Sequence, residues 1–134
     1  MITFNPGPSQ ISAEIKQDII DLAQTNILES SHRSEIFSAL SERTIEGLKR
    51  FLHIPEGYTI LYTSSATDAM EQTIRRLVKQ NSFHFTSGNF SKKFYEMARD
   101  MGKNAGEDAA EWGELNDFRN TDIPSETELI TITY

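Results

Sequence analysis

Cysteine is absent from this sequence, which excludes disulfides, thiolate metal ligands and a cysteine nucleophile together. Histidine is scarce, at three residues, so a transition-metal centre is not expected. Basic side chains are in deficit, with 13 Lys plus Arg against 20 Asp plus Glu and a formal charge of −7. Such a balance argues against a general nucleic-acid or membrane-surface binder, and any anion the chain holds must be held locally. No apolar run approaches membrane-spanning length, and Met1-Ile2-Thr3-Phe4-Asn5-Pro6-Gly7-Pro8 lacks the basic and then apolar pattern of a secretion signal. A cytoplasmic location is the resulting expectation.

What is present suits one globular domain: 134 residues, 37% hydrophobic and 25% charged. Asn5-Pro6-Gly7-Pro8 is a rigid lead-in, because each proline fixes its own φ and disfavours helix at the residue before it. Ser12 then caps a predicted helix with Ile15, Ile19 and Leu22 on one face, ending near Thr25-Asn26. A second predicted helix runs from about Ser34 to Leu52, until Pro55-Glu56-Gly57 stops it. Tyr58 to Tyr62 has strand composition, and a third helix is expected from about Thr67 with Met70, Ile74, Leu77 and Val78 on one stripe. Ser82 to Thr86 reads as a strand, and Phe90, Phe94, Met97, Ala98 and Met101 recur at helical spacing until Gly102. Residues 103–120 are placed only as strand plus loop. Leu129 to Tyr134 is β-branched and reads as a strand. The alternation of strand and helix predicts an α/β fold with a largely parallel sheet and flanking helices, in which ligands gather at the carboxyl ends of strands. A chain stopping with a parallel strand looks truncated, or cut at a domain.

The segment from Ile60 to Met70 carries the clearest chemical signal. A predicted strand enters a turn rich in hydroxyls, Thr63-Ser64-Ser65-Ala66-Thr67, that opens into a helix. Free N–H groups at a helix start and the helix dipole favour an anion there. Plain helix capping explains the same Ser and Thr residues, and Asp68 would repel an anion. Ser30-Ser31-His32-Arg33-Ser34 sets an imidazole beside a guanidinium able to hold a carboxylate or phosphate bidentately; a solvated loop with Ser34 as N-cap is the simpler reading. Phe90, after Ser87-Gly88-Asn89, could lay its ring against a planar ligand or pack in the core with Phe94 and Met97. Lys92 and Lys93 oppose the dipole of their helix, which favours an outward or anion-facing role. His53 and His84 receive no role.

Four separated segments, taken in order, resemble phosphoserine aminotransferase, a class V member of the fold type I aminotransferases dependent on pyridoxal 5′-phosphate (PLP). Phe4-Asn5-Pro6-Gly7-Pro8 is similar to the family's N-terminal opening, and Ser31-His32-Arg33-Ser34 to its Ser-His-Arg-Ser segment. Ser64-Ser65-Ala66-Thr67 falls on the cofactor-phosphate loop, and Ser87-Gly88-Asn89-Phe90-Ser91-Lys92-Lys93 resembles the Thr-Gly-Ser-Trp-Ser-Lys-Lys run. The resemblance implies the N-terminal portion of the PLP-binding large domain, with 1–30 as arm and first helix and 31–134 as the start of the α/β cofactor domain. It implies that Ser65, Ala66 and Thr67 bind the PLP phosphate, that Phe90 stacks on the pyridine ring, and that His32 and Arg33 join a substrate-anion site commonly reaching across a homodimer. The implied reaction is transamination between phosphoserine and 2-oxoglutarate, in serine biosynthesis, on small-molecule amino-acid and 2-oxo-acid substrates. Ser64-Ser65 replaces the family's Gly-Gly, Thr67 stands where some relatives carry Arg, and Phe90 replaces tryptophan. The Schiff-base lysine and the acidic partner of the pyridine nitrogen would lie beyond Tyr134, leaving no catalytic residue in these 134. Another class V PLP enzyme, or a non-catalytic phosphate-binding or interaction remnant, are the alternatives.

Overall fold

A computed structural model describes residues 7–133. Phe4, Asn5 and Pro6 of the proline-rich opening, and Tyr134 at the end of the last predicted strand, lie outside the described residues. The chain divides into two compact units between Ile60 and Leu61.

The first unit is helical. Helix α1, Ala13–Ala23, starts at Ser12, whose Oγ accepts the Ile15 N–H at 3.3 Å. It stops before Thr25-Asn26 because Thr25 caps a separate 3₁₀ helix over Asn26–Glu29. Helix α2, Glu35–Phe51, starts at Ser34, whose Oγ accepts the Phe37 N–H at 3.2 Å. At its end His53 takes a left-handed φ of 52°. The His53 N–H donates to the Arg50 carbonyl at 3.4 Å and the Ile54 N–H to the Lys49 carbonyl at 2.9 Å, the paired bonds of a Schellman motif. No described residue of α1 or α2 is buried.

The second unit holds the sheet. Helix α3 spans Ala66–Leu77, strand β1 Asn81–Thr86, helix α4 Asn89–Asp100, strand β2 Asn104–Ala109 and strand β3 Leu129–Ile132. The strands are all parallel in the order β2-β1-β3, with His84 level with Glu107 on one side and Thr131 on the other. Alternation along β1 divides its side chains. Ser82, His84 and Thr86 face α4, while Phe83 and Phe85 face away, where Phe85 meets Phe118 edge-on with ring centroids 4.8 Å apart. Gly106 of β2 lies against the Phe83 ring, which a Cβ would approach to 2.7 Å. On the helical side Ile74, Val78 and Ala98 form the buried core, flanked by Phe94, Met97, Met101, Ala105 and Leu129. Helix α4 ends on Gly102, φ 75°, with the same two bonds as at His53, here to Arg99 and Ala98 carbonyls. The Glu128 carboxylate closes the sheet's other end by accepting the N–H groups of Lys79, Gln80 and Asn81 at 2.8, 2.7 and 3.0 Å.

The expected strand at Tyr58–Tyr62 does not form. Its residues have strand composition, but none of them joins a strand among the described residues, and Tyr58, Leu61 and Tyr62 stay 58 to 78% exposed. The Thr63–Asp68 turn therefore follows coil, whereas the Ser87–Asn89 turn does follow the carboxyl end of β1. Strand β2, Asn-Ala-Gly-Glu-Asp-Ala, has poor β propensity and owes its form to pairing with β1. No helix among the described residues is long and apolar enough to cross a membrane.

Candidate cofactor-phosphate seat

Ser65 is the N-cap of α3, and its Oγ accepts the Asp68 N–H at 3.0 Å. The Asp68 carboxylate folds back to accept the N–H of Ser64, the residue before the cap, at 3.3 Å. Its charge is thereby turned onto a backbone donor, which lessens the repulsion expected from sequence. Capping therefore does not consume every donor of this helix start. The first-turn N–H groups of Ala66 and Thr67 have no acceptor among the described residues, so they remain available to a ligand. The Thr67 hydroxyl accepts from Lys93 Nζ at 3.2 Å, which brings the loop and the Ser-Lys-Lys segment together.

Helix α4 begins at Gly88. Ser91 Oγ accepts the Ser87 and Gly88 N–H groups at 3.0 and 3.1 Å and donates to the Gly88 carbonyl at 3.0 Å. Those donors are thus consumed within the turn. Phe90 is 60% exposed, so it is not a core residue, and its ring is open to a planar partner.

His32 and Arg33 belong to the first unit and are both exposed. The Arg33 N–H bonds Ser31 Oγ at 3.2 Å, and His32 lines a shallow concavity with Phe37, Ser41 and Lys49. The Ser34 cap expected from sequence is present, and it leaves both neighbouring side chains free of structural duty.

A polar row beneath α4 had no signal in the sequence reading beyond the alternation of Ser82, His84 and Thr86. His84 is fully buried, with Nε2 2.9 Å from Ser82 Oγ and Nδ1 2.7 Å from Thr131 Oγ1. Burial pushes its pKa down to about 4, against the opposing pull of Glu107. Glu107 accepts from Thr86 Oγ1 at 2.6 Å and Lys92 Nζ at 2.9 Å. Burial acts to raise its pKa, but the Thr86 and Lys92 hydrogen bonds and the Lys92 charge hold it below the usual carboxylate range. The Glu107 hydrogen bond in turn raises Lys92. Lys92 is therefore tied down to the sheet, and Lys93 is the lysine that faces α3.

No protein-family profile matches the chain. It is 34% identical to a phosphoserine aminotransferase structure from Cytophaga hutchinsonii, with a TM-score of 0.90 over 96% of this chain and 36% of that one. A PLP-bound phosphoserine aminotransferase from Trichomonas vaginalis, 16% identical with a TM-score of 0.80 over 95% of this chain and 39% of that one, shares the fold. The fold is thus that of the class V PLP-dependent aminotransferases. Among curated sequences, the phosphoserine aminotransferase of an Exiguobacterium strain is 32% identical over 109 residues, covering 75% of this chain and 31% of the relative. The chain is phosphoserine aminotransferase-like, and it spans about a third of the length of the relatives it matches.

Proposed function

We propose that this chain is the N-terminal part of a PLP-dependent aminotransferase that exchanges the amino group of phosphoserine with 2-oxoglutarate, a step of serine biosynthesis. The observation that carries the reading is the pairing, in one compact unit, of the uncommitted Ala66 and Thr67 N–H groups with the exposed Phe90 on the adjoining helix. Similarity to phosphoserine aminotransferases over nearly the whole chain supports it.

The residues fit the group. Ala66 and Thr67 would donate backbone N–H groups to phosphate oxygens, aided by the α3 dipole, and the Thr67 hydroxyl would add a third donor. Ser65 would hold the turn in the shape that aims these donors. Phe90 would lie against the pyridine face; lacking an indole N–H, it offers stacking alone. Bound PLP supplies an electron sink for the α-carbon of the amino acid. His32 and Arg33 would bind a substrate anion, Arg33 bidentately and His32 through one hydrogen bond. The active form is proposed to be a cytoplasmic homodimer in which that pair serves the partner's site.

Visible absorbance of the full-length, PLP-loaded protein should fall on adding phosphoserine and return with 2-oxoglutarate. Arg33→Ala should abolish turnover with PLP retained. A PLP-loaded protein that ignores phosphoserine while accepting another amino donor would sink the substrate assignment, and failure to retain PLP would sink the whole reading.

A further inference from the structure

We infer that Lys93 is a positioning residue of the phosphate seat, holding the Thr67 hydroxyl as a donor and bringing a positive charge to that helix start. The inference rests on the reading of residues 65–67 as the cofactor-phosphate seat.

An ammonium group has donors only. In the 3.2 Å contact with Lys93 Nζ, Thr67 Oγ1 is therefore the acceptor, and its own proton is left to donate elsewhere. Two threonines inside helices show what such a proton ordinarily does: Thr44 donates to the Leu40 carbonyl at 2.9 Å and Thr73 to the Ala69 carbonyl at 2.8 Å. Thr67 stands at the second position of α3, with no helical carbonyl four residues back. Among the described residues its proton meets no acceptor. A phosphate oxygen seated on the Ala66 and Thr67 N–H groups would provide one.

Charge points the same way. Residues 61–70 contain no Lys or Arg, and their one formal charge is the negative Asp68. An incoming phosphate adds further negative charge to a seat with no cation of its own. Lys93 is exposed and, among the described residues, holds no ion pair, although Glu71 and Glu96 line the same shallow cavity. Its position three residues after Phe90 puts both on one face of α4. One turn of that helix would thus offer a ring to the cofactor's plane and an ammonium toward its phosphate. Lys92 cannot substitute, because Glu107 holds it at 2.9 Å.

The test is equilibrium dialysis of PLP and of pyridoxal, which lacks the phosphate, against the wild-type protein, Lys93→Met, Lys93→Gln, Lys93→Arg, Thr67→Val and the Lys93→Met/Thr67→Val double variant. Circular dichroism checks that each exposed-site variant is folded. Both neutral variants should weaken PLP about tenfold, in line with loss of one charge-assisted hydrogen bond, and leave pyridoxal unchanged. Lys93→Arg should restore most of the PLP affinity. In the Thr67→Val background the Lys93→Met loss should shrink, because the hydroxyl that Lys93 orients is gone. Undiminished PLP binding in both neutral variants, or equal losses for PLP and pyridoxal, would overturn the role of Lys93 while leaving the seat intact. A loss of full size in the Thr67→Val background would overturn its action through the hydroxyl. A wild-type protein that does not prefer PLP over pyridoxal would remove the seat itself.

Discussion

Acidification should strip stability from this protein in a window set by His84. The imidazole is fully buried between α4 and the sheet, and its pKa lies at about 4 against an ordinary 6.5, chiefly through desolvation of the charged form. The unfolded chain therefore binds the extra proton more readily. Stability from this group is whole above pH 6.5, declines as pH falls through the interval, and is exhausted near pH 4. A gap of roughly 2.5 pKa units corresponds to about 3 kcal/mol. Glu107 and Glu128, whose pKa values are lowered, contribute stability that is present above their unfolded value and lost below it, so they act at the acid edge of the same range. The assay is urea unfolding at steps from pH 7.5 to 4, comparing the wild type with His84→Gln, which keeps a polar group in the site without a titrating ring. The difference between the two curves should change by about 3 kcal/mol between pH 6.5 and 4 and stay level above pH 6.5. A difference that is flat throughout, or one that changes only above pH 6.5, would refute the buried neutral imidazole.

Two further substitutions probe the backbone. Gly106→Ala places a methyl 2.7 Å from the Phe83 ring, and the overpacking should cost about 1–3 kcal/mol in urea unfolding; Phe83→Leu in that background should recover part of it, and an unchanged midpoint for Gly106→Ala would contradict the close approach. His53→Gly relieves the left-handed φ of 52° at the exposed end of α2 and should stabilise by about 1 kcal/mol. A lower melting temperature for that variant would count against the Schellman geometry.

Helix starts were legible because capping is local chemistry: Ser12, Ser34 and Ser65 each carry a hydroxyl onto an N–H three residues ahead. Strands were legible only where composition and pairing agree. Ser82–Thr86 and Leu129–Ile132 satisfy both, Tyr58–Tyr62 has strand composition but joins no sheet among the described residues, and Asn104–Ala109 pairs with β1 without strand composition. The open helix start at Ala66 and Thr67 was legible, since backbone donors there depend on nothing distant. What could not be read was where Lys93 reaches, or that His84 is sealed between Ser82 and Thr131. Those contacts join residues 26 and 47 positions apart, and no periodicity encodes them.

The order of the strands in space, β2-β1-β3, has a consequence in time. On a ribosome, β1, α4 and β2 emerge first and can close as a parallel pair while Leu129–Ile132 is still inside the exit tunnel. During that interval His84 Nδ1 has no Thr131 beside it, the three amides at Lys79, Gln80 and Asn81 lack the Glu128 carboxylate, and one flank of β1 is bare. Each deficit is removed by the same short stretch of late chain. The half-built sheet thus lacks one hydroxyl for His84 and one carboxylate for the three amides until β3 arrives. Amide exchange along β1 in stalled nascent chains should slow in a single step as residues 128–131 clear the exit tunnel.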